Sequence, residues 1–396
     1  MRSLSYALLL AALCGCGNED EMTRPAVSMA ANGSVTQYSI TTLGTLAGTS
    51  RGNSIANDGS VAGYSSLADL TRHAVLWRGG ALLDLGTLGG ANSSVVWPGQ
   101  NEMGTIVGVS ETSTPDPLHE AWSCAAFFFA PSGQSCVGFA WEGGRMHPLP
   151  TLGGTNGFAT EVNNRGQIVG WAENQVHDPT CTAPQVLQFR AVLWEPKRRH
   201  MEQLRPLAGD STSAATAIND HGQVVGISGD CNDAVGKFSA RHAVIWDHGT
   251  VTDIGNLGGV AWNTPMAINE AGQVVGFSDT TGDFDGTIGQ HAFRWTRQDG
   301  IHDLGVLPGD AVSEAHGIND RGQIVGISCD VSGACHGVVW LGGVITALDS
   351  LVTPGFAGRI TFAQDINDAG VITGRLFDPV SGKNLAFVAT PTRKKQ

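Results

Sequence analysis

From residue 54 onward the chain repeats one alternation of apolar and polar positions. In AINDHGQVVGIS (217–228) an apolar pair runs into the polar turn Asn-Asp-x-Gly, and a β-branched run, Gln223-Val224-Val225-Gly226, leads back out. Asx side chains and a terminal glycine tolerate left-handed geometry, so the stretch predicts a tight β-hairpin. Near copies are AINEAGQVVGFS (267–278), GINDRGQIVGIS (317–328) and EVNNRGQIVGWA (161–172). More worn ones are GQNEMGTIVGVS (99–110), SIANDGSVAGYS (54–65) and DINDAGVITGRL (365–376).

After each hairpin comes an apolar run that mostly ends in tryptophan: HAVLW (73–77), VGFAW (137–141), RAVLW (190–194), HAVIW (242–246), HAFRW (291–295), HGVVW (336–340) and a degraded LAFVA (385–389). A Gly-Gly or similar turn then leads into a fourth short run such as ALLDL (81–85) or GIHDLG (300–305). Each unit therefore predicts four strands, a to d. The hairpin glycines Gly59, Gly104, Gly166, Gly222, Gly272, Gly322 and Gly370 lie 45, 62, 56, 50, 50 and 48 residues apart. Four strands per period of about 40 to 50 residues predict a β-propeller.

The ends of the chain sharpen this. The seventh unit has a, b and c but no d, while QYSITTLGTL (37–46) is a d strand with nothing before it. Joining them completes a blade and removes exposed edges. The expectation is an all-β, seven-bladed β-propeller of four antiparallel strands per blade, closed by residues 38–42 as strand d of the last blade.

The recurring Trp77, Trp141, Trp194, Trp246, Trp295 and Trp340 are expected to pack between blades; about 200 Å² buried at roughly 25 cal/mol/Å² gives about 5 kcal/mol gross for each. The repeated His73, His242, His291 and His336 hold one position in different blades, which points to blade packing or a repeated hydrogen bond rather than to one shared ion. Asn163, Asn219, Asn269, Asn319 and Asn367 are expected to serve the turn.

Composition agrees with an all-β chain: 54 glycines in 396 residues and no long helical patterns. A net charge of -13 argues against gripping nucleic acid, and the one basic run, Arg393-Lys394-Lys395, reads as a solvated tail. At the other end, Arg2 precedes an apolar run (4–13) too short for a span of about 20 residues, so 1–15 reads as a signal peptide. Leu13-Cys14-Gly15-Cys16 resembles the bacterial lipobox, which implies acylation at Cys16, an anchor at the cell envelope, and Gly17 in place of the aspartate that signals inner-membrane retention. The layout is then signal peptide 1–15, tether 16–34, propeller 35–392 and basic tail 393–396, with a soluble exported protein as the alternative.

The hairpin N-x-x-G-Q-[VI]-V-G together with His-Ala-[Val/Phe]-x-Trp resembles the repeat of the HAF family of bacterial extracellular repeat proteins, and His291-Ala292-Phe293 is that triplet. The resemblance covers nearly all of 37–390. Units one, two and seven depart, with Ala56 at the turn asparagine and Val137 and Leu385 at the histidine. It implies export and a repeat architecture, and no activity.

Chemistry is expected where the copies vary. In an up-and-down blade the a–b and c–d turns share one face and the b–c and d–a segments the other. The first set is short and uniform. The second carries Cys124, Cys136, Cys181, Cys231, Cys329 and Cys335, an even count that favours disulfides in an exported chain. Spacing favours Cys124 with Cys136 and Cys329 with Cys335, leaving Cys181 with Cys231; other pairings remain open. Phe127, Phe128 and Phe129, inside the largest insertion, are candidate contacts for a partner or membrane, set against a loop that folds over its own propeller. Asp279, Asp283 and Asp285 in SDTTGDFDG are candidate calcium ligands, set against a solvated acidic turn.

Zinc, serine-hydrolase, P-loop and sialidase Asp-box signatures are absent from the sequence. The leading functional reading is a monomeric, non-enzymatic, lipid-anchored scaffold at the outer membrane or cell surface that binds a protein or glycan. A propeller-type hydrolase or lyase using Asp210, Glu314 or Asp310 near the axis is the first alternative. A purely structural surface protein is the second.

Overall fold

A hairpin apolar on both faces needs a neighbour on each side, and the seven hairpins find theirs by turning about one axis. In a computed structural model, which describes residues 37–120, 124, 127–232, 236–282 and 289–392, the chain forms seven antiparallel sheets of four strands each. Six blades follow the chain in order. In the seventh, Arg359–Ile366 (a), Ile372–Asp378 (b) and Lys383–Thr392 (c) are completed by Gln37–Thr42 as d. The closing pair runs from Gln37 opposite Thr392 to Thr42 opposite Phe387, and Tyr38 within it is wholly buried. Thus the expected architecture and the expected closure both hold. Cys16, the signal peptide, the tether and the basic tail lie outside the described residues, and so do Asp283 and Asp285.

The repeated motif has local causes. At Asn219, the side-chain Oδ1 accepts the N–H groups of His221 (3.1 Å) and Gln223 (3.0 Å), while Gly222 takes the left-handed conformation, φ 83°, that closes the turn. The glycine of the outgoing strand answers to a close approach instead. A Cβ at Gly226 would lie 2.1 Å from the carbonyl oxygen of Ala214, because strand a bulges between Ala215 and Ala217 and crosses directly over it.

Between blades the tryptophans act as expected. Trp77, Trp194, Trp246, Trp295 and Trp340 are all under a tenth exposed. The indole N–H of Trp77, Trp194, Trp246 and Trp340 donates to Gly44, Pro150, Arg205 and Leu304, just past strand d of the blade before, at 2.7 to 3.0 Å. Burial and a directed bond thus fix one blade on the next. His73, His242 and His291 make the repeated hydrogen bond expected of them, through Nδ1 to Asp84, Asp253 and Asp303 across strands c and d.

Three disulfides join Cys124 to Cys136, Cys181 to Cys231 and Cys329 to Cys335. Two of them staple single b–c segments, while Cys181–Cys231 ties blade 3 to blade 4. Among the described residues, no helix is long and apolar enough to cross a membrane.

Candidate functional site

A propeller offers two ends of one axis, and here they are built on different principles. At the end with the a–b turns, residues of all seven blades surround a pocket of about 170 Å³. The position after each turn asparagine, namely Asn57, Glu102, Asn164, Asp220, Glu270, Asp320 and Asp368, forms a closed belt. Each backbone N–H donates to the side-chain oxygen of its counterpart in the next blade, at 2.7 to 3.0 Å, and the bond from Asp368 to Asn57 returns the belt to its start. Carboxylates sit comfortably there because each receives an amide donor.

A second ring lies beside it. The Nδ2 amides of Asn101, Asn163, Asn219, Asn269, Asn319 and Asn367 donate to the carbonyl of the same position one blade on, at 2.9 to 3.1 Å. Ala56 has no amide to give, so this ring is open between blades 1 and 2. Deeper in the axis, Glu161 accepts the N–H of Ile218 (2.6 Å) and Asp365 accepts those of Ile55 and Ile366 (2.8 Å each). Burial raises the Glu161 carboxyl well above the ordinary carboxylate range and the Asp365 carboxyl to about 6.

The opposite end carries the b–c and d–a segments, and there the copies diverge. Five positions before the turn asparagine, blades 1 to 7 place Arg51, Val96, Phe158, Ala214, Thr264, Glu314 and Phe362; three positions before it they place Asn53, Pro98, Thr160, Thr216, Met266, His316 and Gln364. Blades 2 to 4 fill their sector with apolar groups. Phe158 and Ala214 belong to one buried cluster, with Trp97 edge-on to Phe158 (5.3 Å) and Phe127 (5.6 Å).

Blades 6, 7 and 1 are polar instead. The Arg51 guanidinium lies 3.8 Å from the centre of the Phe362 ring, and Arg375, paired opposite Phe362 in the same blade, lies 5.9 Å from that ring. Arg51 Nη2 donates to Gln364, and Arg375 Nε donates to Thr361 (3.3 Å). The His316 ring lies tilted against Phe362, ring centres 4.6 Å apart, and its Nε2 is 3.0 Å from Glu314 Oε2, while Glu314 Oε1 accepts Gln290 (2.6 Å). Burial pulls the Arg51 guanidinium down to about 10. Five buried polar atoms at these two tiers have no hydrogen-bond partner: Arg51 Nε, Asn53 Oδ1, Thr264 Oγ1 and both ring nitrogens of His316. Buried polar atoms left unpaired are uncommon and costly, so they mark a place where the chain's own groups do not suffice.

The residues singled out from sequence distribute as follows. Phe128 is 2% exposed and Phe127 is half-buried against Phe158, so both serve the core; only Phe129, 76% exposed, faces water. The loop holds down because its apolar side chains meet Trp97 and Phe158, and Arg72 Nη1 donates to the Phe127 carbonyl (2.9 Å). A three-phenylalanine tip is therefore not what the fold presents. Asp279 is wholly buried at the end of strand b of blade 5, and among the described residues no cluster of three His, Cys, Asp or Glu is placed to hold a metal ion.

Of the three proposed acids, Glu314 stands at the polar sector. Asp210 and Asp310 occupy equivalent turns two blades apart, each closed by its own N–H to Leu207 or Leu307, and Asp210 accepts Ser228 Oγ (2.6 Å). They do not form a pair with each other. Arg51, Arg375, Phe362 and His316 were missed. Aligning the seven copies and asking which positions break the repeat picks out three of the four; Arg375 sits on strand b, where the repeat shows no comparable tier.

No family model matches the chain, and no curated protein matches it in sequence. Solved structures do match in shape. Virginiamycin B lyase from Staphylococcus aureus aligns with TM-score 0.51 at 9% identity, over 89% of this chain and 99% of that one. Oligogalacturonate lyase from Vibrio parahaemolyticus aligns with TM-score 0.50 at 11% identity, over 89% and 93%. TolB from Acinetobacter baumannii aligns with TM-score 0.41 at 10% identity, over 85% and 80%. At such identities the likeness is one of β-propeller fold alone.

Proposed function

We propose that this chain is an exported, lipid-anchored binding scaffold of the cell envelope, related to the HAF repeat proteins, which captures a protein or glycan with the face that carries its b–c and d–a segments. One observation carries the reading: the a–b end bonds its belt blade to blade and, among the described residues around its pocket, leaves Gln100 Oε1 as the one unpaired buried atom, whereas a group of buried polar atoms at the other end lacks partners. Rigid scaffolds hold recognition where their segments vary. The test is capture from envelope extracts by the full chain, comparing wild type with Phe129→Ser/Arg375→Gln and with Asp320→Asn on the belt. Loss of a captured partner in the first variant alone supports the reading; equal capture by all three sinks it. Fatty-acid labelling that persists in Cys16→Ala would remove the anchor.

A second reading, a propeller-type hydrolase or lyase, is favoured by the His316 contact with Glu314, since an imidazole oriented by a carboxylate is the usual form of a general base. It requires product release from a glycan panel that His316→Ala abolishes while leaving the melting temperature in place; an inactive wild type across that panel counts against it.

A further inference from the structure

We propose that the polar sector formed by blades 6, 7 and 1 is a binding site for an oxyanion, a carboxylate or phosphate group of an incoming ligand, held between the guanidinium groups of Arg51 and Arg375. It rests on the reading of this face as the recognition surface and names the chemistry recognised there.

Charge is the first argument. In a chain of net charge -13, two arginines share one aromatic ring, and neither has a carboxylate partner among the described residues. Arg51 gives one N–H to the neutral amide of Gln364 and keeps Nε unpartnered; Arg375 gives its Nε to the hydroxyl of Thr361. Glu314 is the nearby acid, and its two oxygens already face Gln290 and His316. A desolvated guanidinium whose nearest acid, Glu314, is already shared with His316 and Gln290 is unfavourable unless something supplies a further counter-charge.

Geometry is the second. Arg51 covers the face of Phe362, so the ring is a support that fixes the guanidinium plane. Such planes present forked N–H donors at their edges, and the group that matches a fork is a planar or tetrahedral oxyanion. His316, 5% exposed, stands beside them, and neither of its ring nitrogens has a hydrogen-bond partner in the fold. Two guanidinium cations around one ring disfavour a metal ion at this place and favour an anion. The two arginines are also supplied by different blades, Arg51 by the first and Arg375 by the last, so the site exists only in the closed ring.

The experiment is calorimetric titration of the full chain, at low ionic strength, with inorganic phosphate, succinate and glucuronate as probes and glucose as the neutral control. Saturable binding of at least one anion is expected, with no heat from glucose. Affinity should fall at least tenfold in Arg375→Gln and in Arg51→Lys, and stay within twofold in Arg297→Gln, which removes an exposed arginine elsewhere. Preference for phosphate over both carboxylates, or the reverse, tells the two sources apart. Should Arg51→Lys fail to fold, Arg375→Gln alone decides. Absence of saturable heat with every anion, or affinity untouched in Arg375→Gln, overturns the proposal. If an envelope partner is still lost in the paired variant above, only the oxyanion chemistry falls; if no partner depends on this face, the broader reading falls with it.

Discussion

The two ends of the propeller axis are made from the same seven strands, yet one is finished and the other is not. At the turn end, one residue after the asparagine, the copies vary only among Asn, Asp and Glu, and every member both gives and receives a hydrogen bond. At the loop end, the tiers three and five residues before the asparagine vary from Ala and Pro to Arg and Glu, and leave five buried atoms unpaired. Repetition serves closure of the ring. Departure from it marks where the molecule can meet something else.

The most severe way to probe this contrast is to remove one link of the finished end. Asn269 is 4% exposed; its side chain accepts the N–H of Gln273 (2.9 Å) and donates to Gln273 Oε1 (2.9 Å) and to the Asn319 carbonyl in the next blade (3.1 Å). Asn269→Ala should cost about 3 kcal/mol in urea unfolding, because it strands buried groups on two blades. Arg375→Gln at the loop end should stay within about 0.5 kcal/mol. Comparable losses in the two would dissolve the distinction.

A somewhat smaller effect separates the ends by pH. Glu173, 1% exposed at the loop end of blade 3, is raised from 4.5 to about 7 by burial and by the neighbouring Glu120 carboxylate. Its proton is bound more tightly folded than unfolded. The stability it contributes is therefore full below about pH 4.5 and lost as pH rises through about 7. Glu173→Gln should raise stability at pH 8 by on the order of 2 kcal/mol and change it little at pH 4. A gain equal at both values would mean that burial of charge is not the cause.

The mildest test completes what evolution left open. Ala56→Asn puts an amide where the second ring lacks one, within reach of the Asn101 carbonyl if blade 1 behaves as the other six. The expected gain is about 1 kcal/mol, one buried hydrogen bond. Destabilisation would show that blade 1 differs in its turn and not merely in its side chain.

Much of this architecture is legible in sequence because a propeller repeats. Six copies of NxxG and one of AxxG average out local ambiguity, the missing d strand names its substitute at 37–42, and short spacing indicates two of the three disulfides. The tryptophans read correctly because a large indole recurring on an inner strand has nowhere else to go. What escapes is everything that depends on the neighbouring blade. Asn219 reads as a turn residue; its bond to the Asn269 carbonyl joins positions that only ring curvature brings together. The phenylalanines of the insertion misled for a related reason, since nothing local reveals Trp97 and Phe158 waiting beneath Phe127. Arg51 and Arg375 meet over Phe362 solely because the first blade lies against the last.

The pairing of Gln37 with Thr392 has a mechanical corollary. Gln37, on the outermost strand of blade 7, and Thr392, on the strand beside it, stand together at the end that bears the belt. Any load applied ahead of Gln37 bears first on the Gln37–Thr392 pair and would peel the strand away rung by rung, the geometry of a zip rather than of a shear joint. In that geometry the Gln37–Thr392 rung is the first to yield.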